Sequence, residues 1–198
     1  SGSTPSAIWL KTAVKFLEGD GFAEFKSRAR VWFPLVDKPR TQTIPVPNGF
    51  HIDRNNLIIE PHAELLKGMA WCCALRDDAE IARALLTLAL SAYRKVPQVG
   101  PRAVKIGNAC VTTLGLMPGI SGVSQLCFLR VKIKSSQAQK CIGKALLDAA
   151  ERLNLPPDEL EEMAVPAYGL TEVGRCVERF AEFTAELRVT GTTAVEIA

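Results

Sequence analysis

Two histidines, six cysteines and a set of three closely spaced glycines are the features of this 198-residue chain from which acid–base, metal or phosphate chemistry would have to be built. His51-Ile52-Asp53 and Glu60-Pro61-His62 each set a carboxylate two residues from an imidazole, the pairing a general base would use. Pairs of this kind arise often by chance. Neither histidine has a cysteine or the other histidine at a ligand spacing, so both are read as loop or surface residues, and no catalytic residue or metal ligand is assigned. Cys72, Cys73, Cys110, Cys127, Cys141 and Cys176 lie among Ala, Leu and Ile at positions that would face a helical core, without any Cys-x-x-Cys. This usage predicts free thiols and a reducing compartment rather than zinc or disulfides. Gly115, Gly119 and Gly122 superficially resemble a phosphate-cradling loop but lack a preceding strand and the Gly-Lys-Ser/Thr ending, and are read as a turn between helices. No cofactor is expected.

Charge offers a stronger signal. The net charge is +3. Residues 94–147 carry nine Lys and Arg and no Asp or Glu, whereas residues 148–198 carry four against eleven. The basic block comprises Arg94, Lys95, Arg102, Lys105, Arg130, Lys132, Lys134, Lys140 and Lys144. Arg130 and Lys134 are four apart, as are Lys140 and Lys144, so each pair shares a helical face. Such a block can meet an anionic partner, nucleic acid included, or it can face acids of its own chain or of a neighbouring domain. Aromatic residues are sparse within it, and no base-reading motif accompanies it.

The elements that must position these charges read as helical. Residues 7–18 repeat Ile8, Ala13, Phe16 and Leu17 near helical spacing and stop at Gly19-Asp20-Gly21; a second helix runs over about 22–33. Five prolines between Pro34 and Pro61, with the turn Pro47-Asn48-Gly49, predict a long irregular connection. Leu65, Leu66, Met69, Ala70 and Cys73 form the next face. Asp77 or Asp78 then caps a helix carrying Ala82, Leu85, Leu86, Ala89 and Tyr93. Pro101 sits where a first helical turn tolerates proline, ahead of Ile106, Ala109, Cys110, Thr113 and Leu114, and Pro118-Gly119 ends that element. A further helix spans about 121–133. Ser136 with Gln139 has capping-box spacing before Ile142, Ala145, Leu146 and Ala149, and a short helix opens at Pro156-Pro157. The turn at Arg76 precedes that at Met117 by 41 residues, a period that fits two-helix solenoid units. The last residues alternate, from Phe183 to Val189 and from Ala194 to Ile197, which predicts a β-hairpin.

The fold class expected is therefore mostly all-α, with HEAT-like stacked helix pairs (an α–α superhelix) and a short C-terminal β-hairpin. Residues 1–5 are set apart, Ser1-Gly2-Ser3 resembling the remnant of a cleaved tag. Residues 6–60 hold the first helices and the Pro-rich loop, 61–165 three helix-pair repeats, and 166–198 the extension with the hairpin. No apolar run approaches the roughly 18 residues of a membrane span and no signal peptide is evident, so an intracellular protein without membrane association is expected, cytoplasmic or, in a eukaryote, nuclear.

Several stretches carry a family resemblance: Leu66-x-Gly68-Met69-x-Trp71, Val99-Gly100-Pro101-Arg102-x-x-Lys105-x-Gly107-Asn108-Ala109-Cys110, Ala145-Leu146 with Ala149-Ala150-Glu151-Arg152, and Val165-Pro166-x-Tyr168-Gly169-Leu170 with Gly174-Arg175. Over about 55–183 the chain resembles the family catalogued as domain of unknown function 4132, which includes proteins named after a bacterial molybdate metabolism regulator; Cys176 to Arg179 departs from the family's glycine-bearing pattern. The resemblance implies a helical-repeat fragment of a long multidomain protein, of a group some of whose members carry a tryptophan-glycine-arginine domain. It supplies no catalytic residues. The expected role is a non-catalytic interaction or scaffold module docking a protein or another domain of its parent chain. The alternative is a nucleic-acid-binding module. Candidate contacts to an anionic partner are Arg94, Lys95, Arg102, Lys105, Arg130, Lys134, Lys140 and Lys144.

Overall fold

The computed structural model describes residues 4–42 and 54–156, together with strands at 175–180, 183–189 and 195–197. The turn expected at Pro47, the His51–Asp53 pair and the short helix expected after Pro156 lie outside the described residues. Ser1–Ala164 form one compact unit and Val165–Ala198 another.

The first unit is helical. Among the described residues it contains α1 (Ala7–Phe16), α2 (Gly21–Trp32), α3 (Glu60–Cys72), α4 (Ala79–Tyr93), α5 (Val104–Leu116), α6 (Ile120–Lys132) and α7 (Ser136–Leu153). Local chemistry sets several of the boundaries. The Ser6 hydroxyl accepts from the Trp9 N–H at 3.2 Å to open α1, and Gly19, at φ +57°, turns the chain toward α2. Asp78 opens α4 by accepting from the Glu80 and Ile81 N–H groups, both at 3.0 Å. Asn154 closes α7 in the left-handed region, with the Leu155 N–H donating back to the Ala150 carbonyl at 2.9 Å.

Helix α5 is the centre of the unit. It packs against α3, α4, α6 and α7, while α2 lies on α4, α4 on α6, and α6 on α7. Its Ile106, Ala109, Cys110 and Leu114 are completely buried, as are Leu85 of α4, Leu126 of α6 and Ile142 of α7. Two glycines permit this closeness. A Cβ on Gly107 would lie 2.6 Å from the Tyr93 ring, and one on Gly122 would lie 2.1 Å from the Leu114 carbonyl oxygen. Between α4 and α5 a two-stranded ribbon, β1 (Lys95–Val96) with β2 (Gly100–Pro101), reverses the chain. The second unit holds an antiparallel sheet in the order β3 (Arg175–Phe180), β4 (Phe183–Val189), β5 (Val195–Ile197), with Cys176 opposite Leu187 and Leu187 opposite Ile197. The expected hairpin is the β4–β5 part of this sheet, and β3 is an addition to it.

Four local expectations are corrected. Leu65 is 53% exposed, because adjacent residues point about 100° apart on a helix and Leu66 takes the inward position. In α1, Ile8 and Phe16 are exposed and the helix turns Trp9 and Ala13 inward; Trp9 meets Trp71 edge-to-face at 5.4 Å. Pro101 belongs to β2, and α5 starts at Val104. Ser136 and Gln139 form no capping box: Gln139 donates instead from Nε2 to the carbonyls of Arg130, at 2.6 Å, and Ile133, closing the end of α6.

If this core carries the stability, Leu85→Ala and Leu146→Ala each lower the unfolding free energy by about 2–5 kcal/mol in urea denaturation, since each empties a buried site. Leu65→Ala, on the surface, is expected to change it by less than about 1 kcal/mol.

Candidate functional site

The irregular segment after α2, a 3-10 turn at Phe33–Asp37, brings one carboxylate to the α4–α5 junction. Asp37 Oδ1 accepts from the Ser91 hydroxyl at 2.8 Å, from Arg94 Nη2 at 2.9 Å and from Arg102 Nη1 at 3.0 Å. Arg102 also donates to Ser91 Oγ at 2.8 Å, to the Asn56 carbonyl at 2.8 Å and to the Val36 carbonyl. Its side chain is only 8% exposed. Burial, with Arg94 beside it, lowers the Arg102 pKa from its usual value, and Asp37 opposes that shift. Arg102 thus fastens two irregular segments, 33–37 and 54–57, to the helical core.

Lys105 is engaged in the same manner. From the first turn of α5 it reaches Glu60 and, at 2.7 Å, Glu64, both on α3. Glu64 also holds Lys67 at 2.6 Å, and the Lys67 ammonium, almost fully buried, lies 5.0 Å from the centre of the Trp71 ring. The bonds from Lys105 and then Lys67 pull the Glu64 carboxyl down to about 2.

The other predicted cations lie elsewhere. Lys95 is exposed on β1. Arg130, Lys132 and Lys134 occupy the last turn of α6 and the bend after it, and Lys140 and Lys144 follow one turn apart on α7. All five are exposed, and among the described residues none of them forms an ion pair with a carboxylate. Lys132 lies 5.4 Å from the Phe128 ring centre, and Lys134 donates to the Val131 carbonyl at 3.1 Å. The basic block is therefore divided. Arg94, Arg102 and Lys105 bind acids of the first ninety residues, and the other six are exposed, Lys95 on β1 and five on α6, α7 and the bend between them.

The remaining candidates take structural places. Gly119 sits at the start of α6, where Asp77 Oδ1 accepts the Ser121 N–H at 3.2 Å, so the two adjacent aspartates cap two different helices. His62 is exposed. Cys72, Cys73, Cys110, Cys127 and Cys141 are free thiols, and burial raises the Cys72 pKa to about 11 and pushes Cys73, Cys110 and Cys127 up as well. Thiols so shifted are poor nucleophiles at neutral pH. Among the described residues no three His, Cys, Asp or Glu side chains are grouped to hold a metal ion, and no helix is long and apolar enough to cross a membrane. Comparison with protein-family models, curated proteins and solved structures yields no match.

Sequence reasoning did not identify Asp37 as the centre of this network. Its partners Ser91, Arg94 and Arg102 are 54 to 65 residues distant, a separation at which no spacing rule operates.

The Glu64 cluster makes a prediction with a definite sign. Its folded-state pKa is depressed from 4.5 to about 2, so its contribution is present above 4.5 and is lost as the pH falls through that window. Glu64→Gln is expected to flatten the decline in urea midpoint between pH 4.5 and 2 relative to the parent, without steepening it above pH 6.

Proposed function

We propose that this chain is a non-catalytic interaction module of a larger multidomain protein, built from HEAT-like stacked helix pairs, which docks an acidic protein surface on the basic corner of α6 and α7. The single observation that carries the reading is the separation of the cations: Arg130, Lys132, Lys134, Lys140 and Lys144 are exposed on α6, α7 and the bend between them and form no ion pair among the described residues, Asp148 standing one turn beyond Lys144, while Arg94, Arg102 and Lys105 are held by Asp37, Glu60 and Glu64. The stacked-pair reading is supported by the order of contacts, with α3 on α5 and α5 on α7 in one series and α2 on α4 and α4 on α6 in the other. An origin in a long parent protein is what the motif resemblance to the 4132 family implies, and it is part of the same proposal. An acidic protein partner, including another domain of the parent, suits a surface of four lysines and one arginine, because flexible ammonium groups adapt to scattered carboxylates.

A nucleic-acid partner is the second reading, favoured by the same five charges. Among the described residues the one aromatic side chain beside these charges is the half-buried Phe128, which argues for phosphate contact rather than base stacking.

Binding of a poly-glutamate peptide and of a short DNA duplex, each over a salt series, separates the two. The docking reading expects poly-glutamate to bind at low salt, more tightly than duplex at equal charge. It also expects Lys134→Ala/Lys140→Ala/Lys144→Ala to weaken that binding on the order of 10- to 100-fold, three exposed ion pairs contributing up to about 1 kcal/mol each. Preferential duplex binding, with log K falling against log salt at a slope of roughly −4 to −5 for five neutralised phosphates, would transfer the function to nucleic acid. Failure of both ligands to bind at low salt would remove both readings.

A further inference from the structure

A groove of about 760 Å³ opens on the side of the helical unit where the end of α2 and the irregular segments face α3. Its volume lies within the roughly 300–1,000 Å³ range of small-molecule sites. Three large apolar side chains, Trp32, Leu35 and Leu65, stand at it 41%, 56% and 53% exposed, and Leu57, Ile58 and Leu66 lie deeper. Exposed apolar groups scattered singly need no explanation, whereas a group converging on one concavity marks a binding surface.

The charged groups at this groove all have one sign. Lys38, Arg40 and Arg102 line it, with the His62 imidazole at its α3 side, and none of its described lining residues is an Asp or Glu. The neighbouring acids are engaged elsewhere: Asp37 with Arg94 and Arg102, Glu60 and Glu64 with Lys105. The walls are fixed by the same arginines. Arg40 donates to the Asn55 carbonyl at 3.3 Å and to the Leu57 carbonyl at 2.6 Å, and Arg102 joins Val36 to Asn56. A guanidinium has five N–H donors, so these two bonds leave Arg40 with donors to offer a ligand anion.

From an apolar floor, a cationic rim and this volume we infer that the groove binds an elongated apolar monocarboxylate, a molecule of the fatty-acid type, with its chain between Trp32, Leu35 and Leu65 and its carboxylate toward Lys38 and Arg40. This site is separate from the α6–α7 corner, so its test is independent of the docking role.

The probe is dodecanoate, titrated below its micelle concentration into the full chain, with dodecyltrimethylammonium as a probe of equal chain length and opposite charge. Trp32 reports on the groove, and calorimetry provides a reading independent of it. Dodecanoate is expected to shift the tryptophan emission, to lose that shift in Trp32→Phe, and to bind at least tenfold more tightly than the cation. Leu65→Glu and Lys38→Glu, both at exposed positions, should each weaken dodecanoate at least tenfold while leaving the thermal midpoint close to the parent's. Equal response to both probes, no heat or emission change, or undiminished binding in both charge variants would overturn the inference.

Discussion

Everything described in the first unit depends on the enclosure of α5. A helix that buries Ile106, Ala109, Cys110 and Leu114 completely must be covered on several sides, and α3, α4, α6 and α7 supply that cover. Small residues make the approach achievable: Gly107 accepts the Tyr93 ring, and Gly115 lets Ala145 of α7 come within 3.1 Å of where a Cβ would stand. Each fully buried leucine or isoleucine contributes roughly 1.5–3 kcal/mol of transfer free energy, so the apolar contacts around α5 outweigh any single polar bond in the unit.

Polar groups then decide how the irregular segments attach to that core. Arg102 is costly to bury alone, and it is tolerated because Asp37, Ser91 and two backbone carbonyls satisfy its donors. Lys26 does comparable work between α2 and α4, meeting Asp78 and Glu80 at 2.7 Å each, and hydrogen bonds to Asp78 and then Glu80 raise its pKa. Acids of the first half of the chain are thus matched to Arg94, Arg102 and Lys105. What remains of the basic block, Lys95 on β1 apart, lies on α6, α7 and the bend between them, where an incoming anion would face exposed lysines and Arg130 instead of groups already engaged in the fold.

The sequence disclosed these features unevenly, for physical reasons. Helix α4 was legible because Ala82, Leu85, Ala89 and Tyr93 repeat strongly and Asp78 is a good cap. The inward choice between Leu65 and Leu66 was not, because two adjacent apolar residues fit either phase of a short helix. Strand β3 was missed because Arg175, Glu178 and Arg179 break the alternation that marks β4. For the site, the charge segregation was visible in composition. Which cations the fold uses was not, since nothing local distinguishes Arg102 from Lys144; the difference is made by Asp37, distant in sequence and adjacent in space. The groove was equally hidden, being formed where two irregular segments meet α3.

The central claim is that one set of cations serves the fold and the other serves the surface. The most direct measurement is urea denaturation of Arg102→Met beside the triple variant Lys134→Ala/Lys140→Ala/Lys144→Ala. The account predicts that Arg102→Met loses on the order of 1–3 kcal/mol, because the Val36 and Asn56 carbonyls lose their donor, while the triple variant stays within about 0.5 kcal/mol of the parent. A stable Arg102→Met together with a destabilised triple variant would contradict it.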